Sequence, residues 1–202
     1  MNPKIRSRDL KSGDSLDQMQ TPKRKSGSSG SAPAVSAPHV PKRKQVYMAG
    51  PLFTLNERMI NRQLAAAIEQ QLDTVRVLLP QDFKHDNRFN DQRAFGVIFK
   101  GCVDGIDSSD CVVAWLDGPD SDSGTCFEVG YAYTKGIPVI GVRTDFRLNQ
   151  ERGVNVMLSR ACKAFVYRPS FDEDLNALAR DIARALKKHV VNATLVKQEP
   201  RT

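Results

Sequence analysis

The fold is decided by the stretch CVVAWL at residues 111–116, which runs directly into Asp117, Gly118 and Pro119. Six consecutive apolar residues that end in a turn are typical of a strand covered on both faces. Such strands belong to parallel sheets that carry helices on either side. The sequence on both sides of this stretch should therefore alternate between strands and helices.

That alternation is visible in both directions. Short apolar runs predict four more strands, at residues 46–49, 75–79, 137–142 and 164–167. Apolar residues at helical spacing predict five helices, at residues 56–72, 95–106, 125–134, 150–160 and 172–190. The polar residues 81–91 are expected to form a loop. The predicted fold class is α/β, a flavodoxin-like or Rossmann-like three-layer sandwich whose five-stranded parallel sheet has the order 2-1-3-4-5.

Charge is divided unevenly along the chain. The net charge is +7, and residues 1–44 alone hold ten Lys or Arg against three Asp or Glu. Residues 45–202 hold twenty of each, so the basic excess lies wholly in the first 44 residues. The charge of the remainder gives no support to a nucleic-acid-binding surface, and contact with nucleic acid is open only for the basic segment.

The basic segment is also poor in residues that form a core. Residues 1–44 are dense in Ser, Pro, Gly and Lys and contain no aromatic residue, which predicts a disordered tail. The tetrapeptide PKRK occurs in it twice, at 22–25 and 41–44. It is either part of a solvated leader or a signal for nuclear import or polyanion binding. We expect the folded domain to span 45–192 and a flexible tail to span 193–202.

The compartment is predicted from absences in the sequence. No apolar run approaches the ~20 residues of a membrane-spanning helix, and no secretory signal is predicted. The cysteines form no C-x-x-C pair and have no His at zinc spacing, so reduced thiols are expected; they are Cys102, Cys111, Cys126 and Cys162. We therefore expect a cytoplasmic protein, with a nuclear location left open by the basic clusters.

A ligand site is expected where the strand order reverses, between the carboxyl ends of strands 1 and 3. The loops that meet there are residues 49–53 and 117–125, in which Gly50 and Gly124 permit close backbone approach. The second loop holds three aspartates and is followed by Glu128. An acidic residue at a helix start is often only a cap, and this alternative stays open for a single Asp.

The chemistry of this loop favours a neutral or cationic ligand. It lacks the glycine patterns of phosphate and dinucleotide sites, so no cofactor and no metal are expected. Two carboxylates can cleave an N-glycosidic bond, because one attacks the anomeric carbon and the other protonates the leaving base. Glu128 as the nucleophile and a loop aspartate as the acid would satisfy this scheme.

Three segments together resemble the nucleoside 2-deoxyribosyltransferase family: YMAGPLF at 47–53, SDCVVAWLDG at 109–118 and DSGTCFEVGYA at 122–132. The resemblance implies that Glu128 forms a 2-deoxyribosyl ester, that Asp122 contacts and protonates the base, and that Tyr47 holds the nucleophile by a hydrogen bond. Further substrate-binding residues are expected at Gly50, Phe53, Asp117 and Gly124, with Phe53 lining the base pocket.

The resemblance also implies an oligomer and contains one departure. Asn155 and Met157 match a pair that reaches into a neighbouring subunit's site, which implies a homo-oligomer with shared sites. The family pattern has an aspartate where this chain has Cys102. Either Cys102 lines the pocket or Asp104, two residues on, takes over the role; a residue two places on in a helix points about 200° away.

Three functions are weighed for this chain. The first is transfer of 2-deoxyribose between nucleobases in nucleoside salvage, with deoxynucleosides and free bases as small-molecule partners. The second is hydrolysis of deoxynucleosides or deoxynucleotides by a relative that uses water as the acceptor. The third is a non-catalytic nucleotide- or nucleic-acid-binding protein, against which Tyr47, Asp122 and Glu128 count.

Overall fold

The computed structural model describes residues 42–83, 92–148, 153–169, 171 and 174–192, all of which lie in one compact unit, Val40–Thr202. The tail expected at 1–44 lies outside the described residues except for its last three positions. Most of the loop expected at 81–91 and the C-terminal tail expected at 193–202 also lie outside them, apart from residues 81–83.

Five strands form a single parallel sheet in the order β2-β1-β3-β4-β5, which confirms the predicted α/β flavodoxin-like fold. Their bounds are β1 Lys44–Ala49, β2 Val75–Leu78, β3 Cys111–Trp115, β4 Val139–Arg143 and β5 Ala164–Tyr167. In the register of β1 and β3, Tyr47 lies beside Val112 and Ala49 beside Ala114. The carboxyl ends of these two strands are therefore adjacent, as a site at the reversal of strand order requires.

Strand β1 begins one residue before the expected domain start. The backbone nitrogen of Lys44 donates to the carbonyl of Thr74 at 2.8 Å. Its ammonium lies 2.9 Å from a carboxylate oxygen of Asp110. Lys44 therefore belongs to the sheet, although its positive charge led us to count it with the basic segment 1–44.

Helices cover both faces of the sheet, as the three-layer prediction requires. Their bounds are α1 Leu55–Gln71, α2 Gln92–Asp107, α3 Ser123–Thr134, α4 Val156–Ala161 and α5 Leu175–Leu186, with short 3₁₀ and π turns at Pro80–Asp82 and Lys187–Val191. One core joins α1 and α5 to Val46 and Met48. The other joins α2 and α3 to Tyr47 and Ala49, because alternate residues of a strand face opposite sides of the sheet.

Capping side chains decide where several helices begin. Thr54 and Glu57 form a reciprocal capping box at the start of α1, with bonds of 3.2 and 2.7 Å. Asp122 caps α3, which therefore starts at Ser123 rather than at 125. Asn155 caps α4, so the described part of the helix predicted at 150–160 begins at Val156. No helix in the described ranges has the length and apolar character to cross a membrane.

Candidate active site

Two glycines of α2 allow close packing of that helix, Gly105 against Tyr47 and Phe83 and Gly101 against Phe83. Tyr47 is fully buried and faces the layer of α2 and α3. A Cβ atom on Gly105 would lie 3.0 Å from ring carbons of both Tyr47 and Phe83, and one on Gly101 would lie 3.3 Å from Phe83. The spacing Gly-x-x-x-Gly in GCVDG at 101–105 was the signal for this close approach, and the sequence analysis missed it.

The Tyr47 hydroxyl, held by this packing, forms a hydrogen bond with a carboxylate of α3. Tyr47 donates a hydrogen bond to Oε1 of Glu128, with the two oxygens 2.5 Å apart. Glu128 is partly buried and lies in the second turn of α3, six residues after the cap residue Asp122. The structure thus brings together the tyrosine and the glutamate that the sequence analysis placed in one site.

Cys102 joins this pair, and Asp104 does not. Cys102 is partly buried and packs against the core that contains Tyr47. Its thiol contributes to the pKa values of both the Tyr47 hydroxyl and the Glu128 carboxyl group. Asp104 lies on the exposed side of α2, where its carboxylate is 2.5 Å from the Lys100 ammonium and its side chain is 59% exposed. Of the two residues between which the sequence left a choice, the geometry turns Cys102 toward the site.

The environment of Glu128 favours its neutral form. Burial raises the pKa of Glu128 to about 7, and the negative charge of Asp122 acts in the same direction. Hydrogen bonds from Tyr47 and Cys102 oppose the rise. Burial, followed by the Glu128 charge, raises the pKa of the Tyr47 hydroxyl far above its usual range, and burial raises the pKa of the Cys102 thiol. Near pH 7 the carboxyl group is therefore close to half ionised while both neighbours remain protonated donors.

Asp122 is both a helix cap and a neighbour of Glu128. Its Oδ2 atom accepts from the backbone nitrogen of Thr125 at 2.8 Å and from the Thr125 hydroxyl at 2.9 Å. A Cβ atom on Gly124 would lie 3.2 Å from the same oxygen, so glycine leaves room for this arrangement. Within the described ranges no side-chain hydrogen bond engages Oδ1 of Asp122, which leaves that oxygen for a ligand.

The carboxylate of Asp117 is engaged by two residues that directly follow β4. Its Oδ1 accepts from the backbone nitrogens of Thr144 and Asp145 at 2.7 and 3.0 Å, and its Oδ2 accepts from the Thr144 hydroxyl. These bonds tie the end of β3 to the end of β4. Both oxygens of the carboxylate that we expected to bind substrate are thus engaged within the protein.

The remaining expected site residues lie at other points of the same edge of the sheet. Gly50 approaches β3, since a Cβ atom there would lie 3.3 Å from Cβ of Trp115. Phe53 is 72% exposed on the loop after β1. The Oδ1 atom of Asn155 accepts a hydrogen bond of 2.9 Å from the backbone nitrogen of Met157, and the Met157 side chain is 76% exposed. None of these side chains is hydrogen-bonded to Glu128 in the described part of the chain.

A buried arginine supports the loop that carries Asp122, and sequence reasoning did not find it. Arg143 is 1% exposed, and its guanidinium donates to the carbonyl oxygens of Leu116 at 2.6 Å, Gly118 at 3.3 Å and Arg147 at 3.1 Å. Asp145 lies 3.7 Å away and accepts from the backbone nitrogen of Gly118 at 3.0 Å. The only sequence signal was a charge at the end of the apolar run VIGVR, which usually indicates a strand end in solvent.

Apolar side chains also lie exposed around α3. Phe127 is 50% exposed and its ring centre is 5.7 Å from that of Phe99 and 6.1 Å from that of Tyr131. A separate groove of about 320 Å³ lies between α3 and α4, and its lining includes Tyr133 and Met157. No group of three or more His, Cys, Asp or Glu side chains that could hold a metal occurs among the residues that the structure describes.

Known proteins share sequence features and the fold of this chain. The family model for nucleoside 2-deoxyribosyltransferase matches residues 46–157. A conserved protein from Enterococcus faecalis V583 has a similar structure, with 26% identity, a TM-score of 0.55 and alignment over 71% of this chain and 99% of that one. A 2-deoxyribosyltransferase from Bacillus psychrosaccharolyticus has 22% identity and a TM-score of 0.51, with alignment over 67% of this chain and 90% of that one.

A more distant structural neighbour is a CMP N-glycosidase from Clostridium botulinum, with 17% identity, a TM-score of 0.45 and alignment over 71% of this chain and 99% of that one. No curated protein sequence gave a significant match. The matched segment contains the last four residues of β1, all of β3 and α3, and the whole Tyr47–Cys102–Glu128 cluster. The chain therefore belongs to the nucleoside 2-deoxyribosyltransferase family.

Proposed function

We propose that this protein cleaves the N-glycosidic bond of 2′-deoxyribonucleosides and transfers the deoxyribose to another nucleobase. The observation that carries the proposal is the hydrogen bond of 2.5 Å from Tyr47 to the Glu128 carboxylate, at the point where the sheet order reverses. A partly buried carboxyl group with a pKa of about 7 is suited to attack as an anion and to leave the ester again as a carboxylate.

The first half-reaction uses two carboxyl groups. An ionised Glu128 oxygen attacks C1′ of the sugar and forms an ester bond while the bond from C1′ to the base nitrogen breaks. The two carboxyl groups hold one proton between them, and the attack starts from the form in which Glu128 is the anion and the free oxygen of Asp122 carries that proton. The electron pair of the broken bond stays on the base, which takes this proton and leaves Asp122 as a carboxylate. Positive charge develops on the sugar as the bond breaks, and the two nearby carboxylates stabilise it.

The second half-reaction reverses the first with a different base. The incoming base attacks C1′ of the glycosyl ester, Glu128 leaves as a carboxylate, and Asp122 takes up the proton that the base loses. Tyr47 keeps its hydrogen bond to the carboxylate throughout, because its pKa stays far above neutrality. The apolar residues 51–53 after β1 favour an unphosphorylated sugar at this edge.

The experiment that tests this function is incubation of the protein with deoxyinosine and free adenine, followed by chromatography. Deoxyadenosine would support transfer, free deoxyribose alone would support hydrolysis of the same bond, and unchanged substrate would overturn both and favour a binding protein. Inosine serves as a control substrate, because its 2′-hydroxyl would be buried near Glu128 at a cost of ~1–3 kcal/mol. Mass spectrometry should find one deoxyribosyl unit on the peptide that contains Glu128.

We also propose that the active form is a homo-oligomer in which subunits share sites. The exposed side chain of Met157, the exposed ring of Tyr133 and the groove between α3 and α4 support this, since large apolar patches usually mark an interface. Light scattering after gel filtration tests it. Met157→Glu should shift the mass toward the monomer, and a wild-type monomer with full activity would overturn it.

We propose that the basic segment is dispensable for catalysis. Its proposed roles are nuclear location and polyanion contact, in a protein that is cytoplasmic or nuclear. Deletion of residues 1–41, which keeps the start of β1 at Lys44, should leave kcat and Tm unchanged. A truncated protein that loses activity or unfolds at a lower temperature would contradict this division into tail and domain.

A further inference from the structure

Cys102 is the one group of the Tyr47–Cys102–Glu128 cluster to which the mechanism above gives no task. We propose that Cys102 is a positioning residue whose thiol donates a hydrogen bond to the Glu128 carboxylate and, together with Tyr47, fixes the direction from which that carboxylate attacks. The proposal rests on the proposed function of Glu128 as nucleophile and adds a second donor to it.

The course of α2 places the thiol at the correct end of the sheet. Helix α2 ends at Asp107 and the chain enters β3 at Cys111, so the last turn of the helix lies near the amino ends of the strands. Cys102 lies more than one turn earlier, toward the carboxyl ends. It shares a face with Ile106, four residues on, which is fully buried in the core that contains Tyr47.

The close contact between α2 and Tyr47 sets the height of the thiol above the sheet. Gly105 allows ring carbons of Tyr47 to lie where a Cβ atom would be only 3.0 Å away. Cys102 precedes Gly105 by three residues, so the two are neighbours on the helix surface. Cys102 packs against the same core as Tyr47. The hydroxyl of Tyr47 in turn reaches Glu128, so this packing brings the thiol toward both groups, in agreement with its effect on the Glu128 pKa.

Toward Glu128 the thiol acts as a donor. Tyr47 already donates to Oε1 of Glu128, so the carboxylate is the acceptor of the cluster. A thiolate beside this carboxylate would place two negative charges together in a partly buried site. Burial and the charge of Glu128 both hold the thiol in its protonated form. An S–H donor lowers the pKa of the carboxyl group without adding a charge that would compete for the sugar cation.

The experiment compares Cys102→Ala and Cys102→Ser with the control Cys162→Ala. Cys162 is also partly buried and packs in the same layer, but it lies at the end of α4 against Gly141 and Phe165. Two readouts are needed: the pH profile of kcat and KM for deoxyinosine, and the pKa of Glu128 from ¹³C NMR of glutamate-labelled protein without substrate. Glu128→Gln assigns the resonance.

In Cys102→Ala the Glu128 pKa should rise and kcat at pH 7 should fall about tenfold, whereas KM should change less than about threefold. Cys102→Ser should restore kcat to within about threefold of wild type, since the hydroxyl keeps a donor. Cys162→Ala should match wild type in both readouts. A Glu128 pKa in Cys102→Ala equal to that in Cys162→Ala would overturn the proposal.

The NMR readout separates this proposal from the function on which it rests. If wild-type protein turns over no nucleoside, the proposed function fails, and the shift of the Glu128 resonance still decides whether Cys102 donates to it. If wild type is active and the Cys102→Ala resonance and kcat are both unchanged, only the role of Cys102 fails. Thermal unfolding of each variant checks that Cys102→Ala remains folded in these comparisons.

Discussion

Glu128 and Asp145 lie at the same edge of the sheet, yet their surroundings move the two carboxyl pKa values in opposite directions. Glu128 is partly buried and has two neutral donors, Tyr47 and Cys102, so burial dominates and raises its pKa to about 7. Asp145 is 7% exposed and accepts from the backbone nitrogens of Gly118 and Arg147 at 3.0 and 2.9 Å. The guanidinium of Arg147 holds the pKa of Asp145 well below its usual range.

The difference teaches that burial by itself does not make a carboxyl group reactive. Two backbone donors and a cation compensate Asp145 for lost water, and its carboxylate is therefore a structural anchor for the loop after β3. Glu128 has two neutral donors and no cation, so its anion is left under-stabilised, which suits the nucleophile that we propose. Conversion of each carboxylate to the matching amide compares the two directly.

The largest effect is expected for Glu128→Gln, which should lower kcat by at least about a thousandfold because an amide cannot attack C1′. The shape is kept, so circular dichroism should report an unchanged fold. Kinetics on deoxyinosine with adenine provide the measurement. Wild-type turnover in Glu128→Gln would remove Glu128 from the mechanism.

The same variant also tests the electrostatics of the site. The pKa of Glu128 rises from its ordinary value of 4.5 to about 7 in the folded state, so its favourable contribution to stability is fully present below pH 4.5 and is lost as pH rises through 7. The amide does not suffer that loss. Above pH 7, Glu128→Gln should therefore be more stable than wild type, by on the order of 2–3 kcal/mol, and urea unfolding at pH 5 and 8 measures the change.

For Asp145→Asn the effect on stability should have the opposite sign. The variant weakens the contacts to Arg147 and leaves the buried Arg143 with less compensating charge, which should cost about 2 kcal/mol at pH 7. The lowered pKa of Asp145 makes its contribution present above about pH 4 and lost as pH falls through the folded value. The deficit in urea unfolding should thus shrink at pH 3. An equal deficit at both pH values would show that shape, not charge, matters there.

The fold followed from the sequence because burial on both faces leaves a readable pattern. The run at 111–116 and the four other apolar runs marked all five strands, and the general rule for ligand sites in such sheets predicted the edge at which the site lies. Glu128 was already a candidate from the chemistry of the acidic loop, and Tyr47 as its partner came from the resemblance between motifs. Their separation of 81 positions has no periodic signal, so spacing would not have paired them.

Other features depended on contacts that no local pattern records. The choice between Cys102 and Asp104 required the rotation of α2, which Gly105 and the ring of Tyr47 set. Arg143 follows an apolar run, and only its acceptors, carbonyl oxygens from two other segments of chain, make its burial favourable. Asp117 had the expected position, but its partners on the strand next to it decide what its carboxylate does.

Tyr47→Phe should have an intermediate effect, because it removes one of the two donors to Glu128 and keeps the ring packed on α2. The Tyr47 hydrogen bond lowers the Glu128 pKa, so its loss should raise that pKa and move the acidic limb of the kcat/KM profile to higher pH. At pH 7 the drop in kcat/KM should be about thirtyfold, the worth of a hydrogen bond to a charged group. A profile from pH 5 to 9 whose acidic limb stays in place would argue against the donor role of Tyr47.

The smallest effect is expected for Thr125→Val, which tests whether Asp122, the proposed acid, is held as firmly as Asp145. The Thr125 side chain is buried and gives Oδ2 of Asp122 one of two hydrogen bonds, and the backbone bond of 2.8 Å survives the change. Loss of the hydroxyl bond allows Asp122 to turn its free oxygen away from the base. That loss should lower kcat/KM by about fivefold, near 1 kcal/mol. Thr125→Ser keeps the hydroxyl and should recover the rate, whereas equal losses in both variants would assign the effect to packing of the missing methyl group.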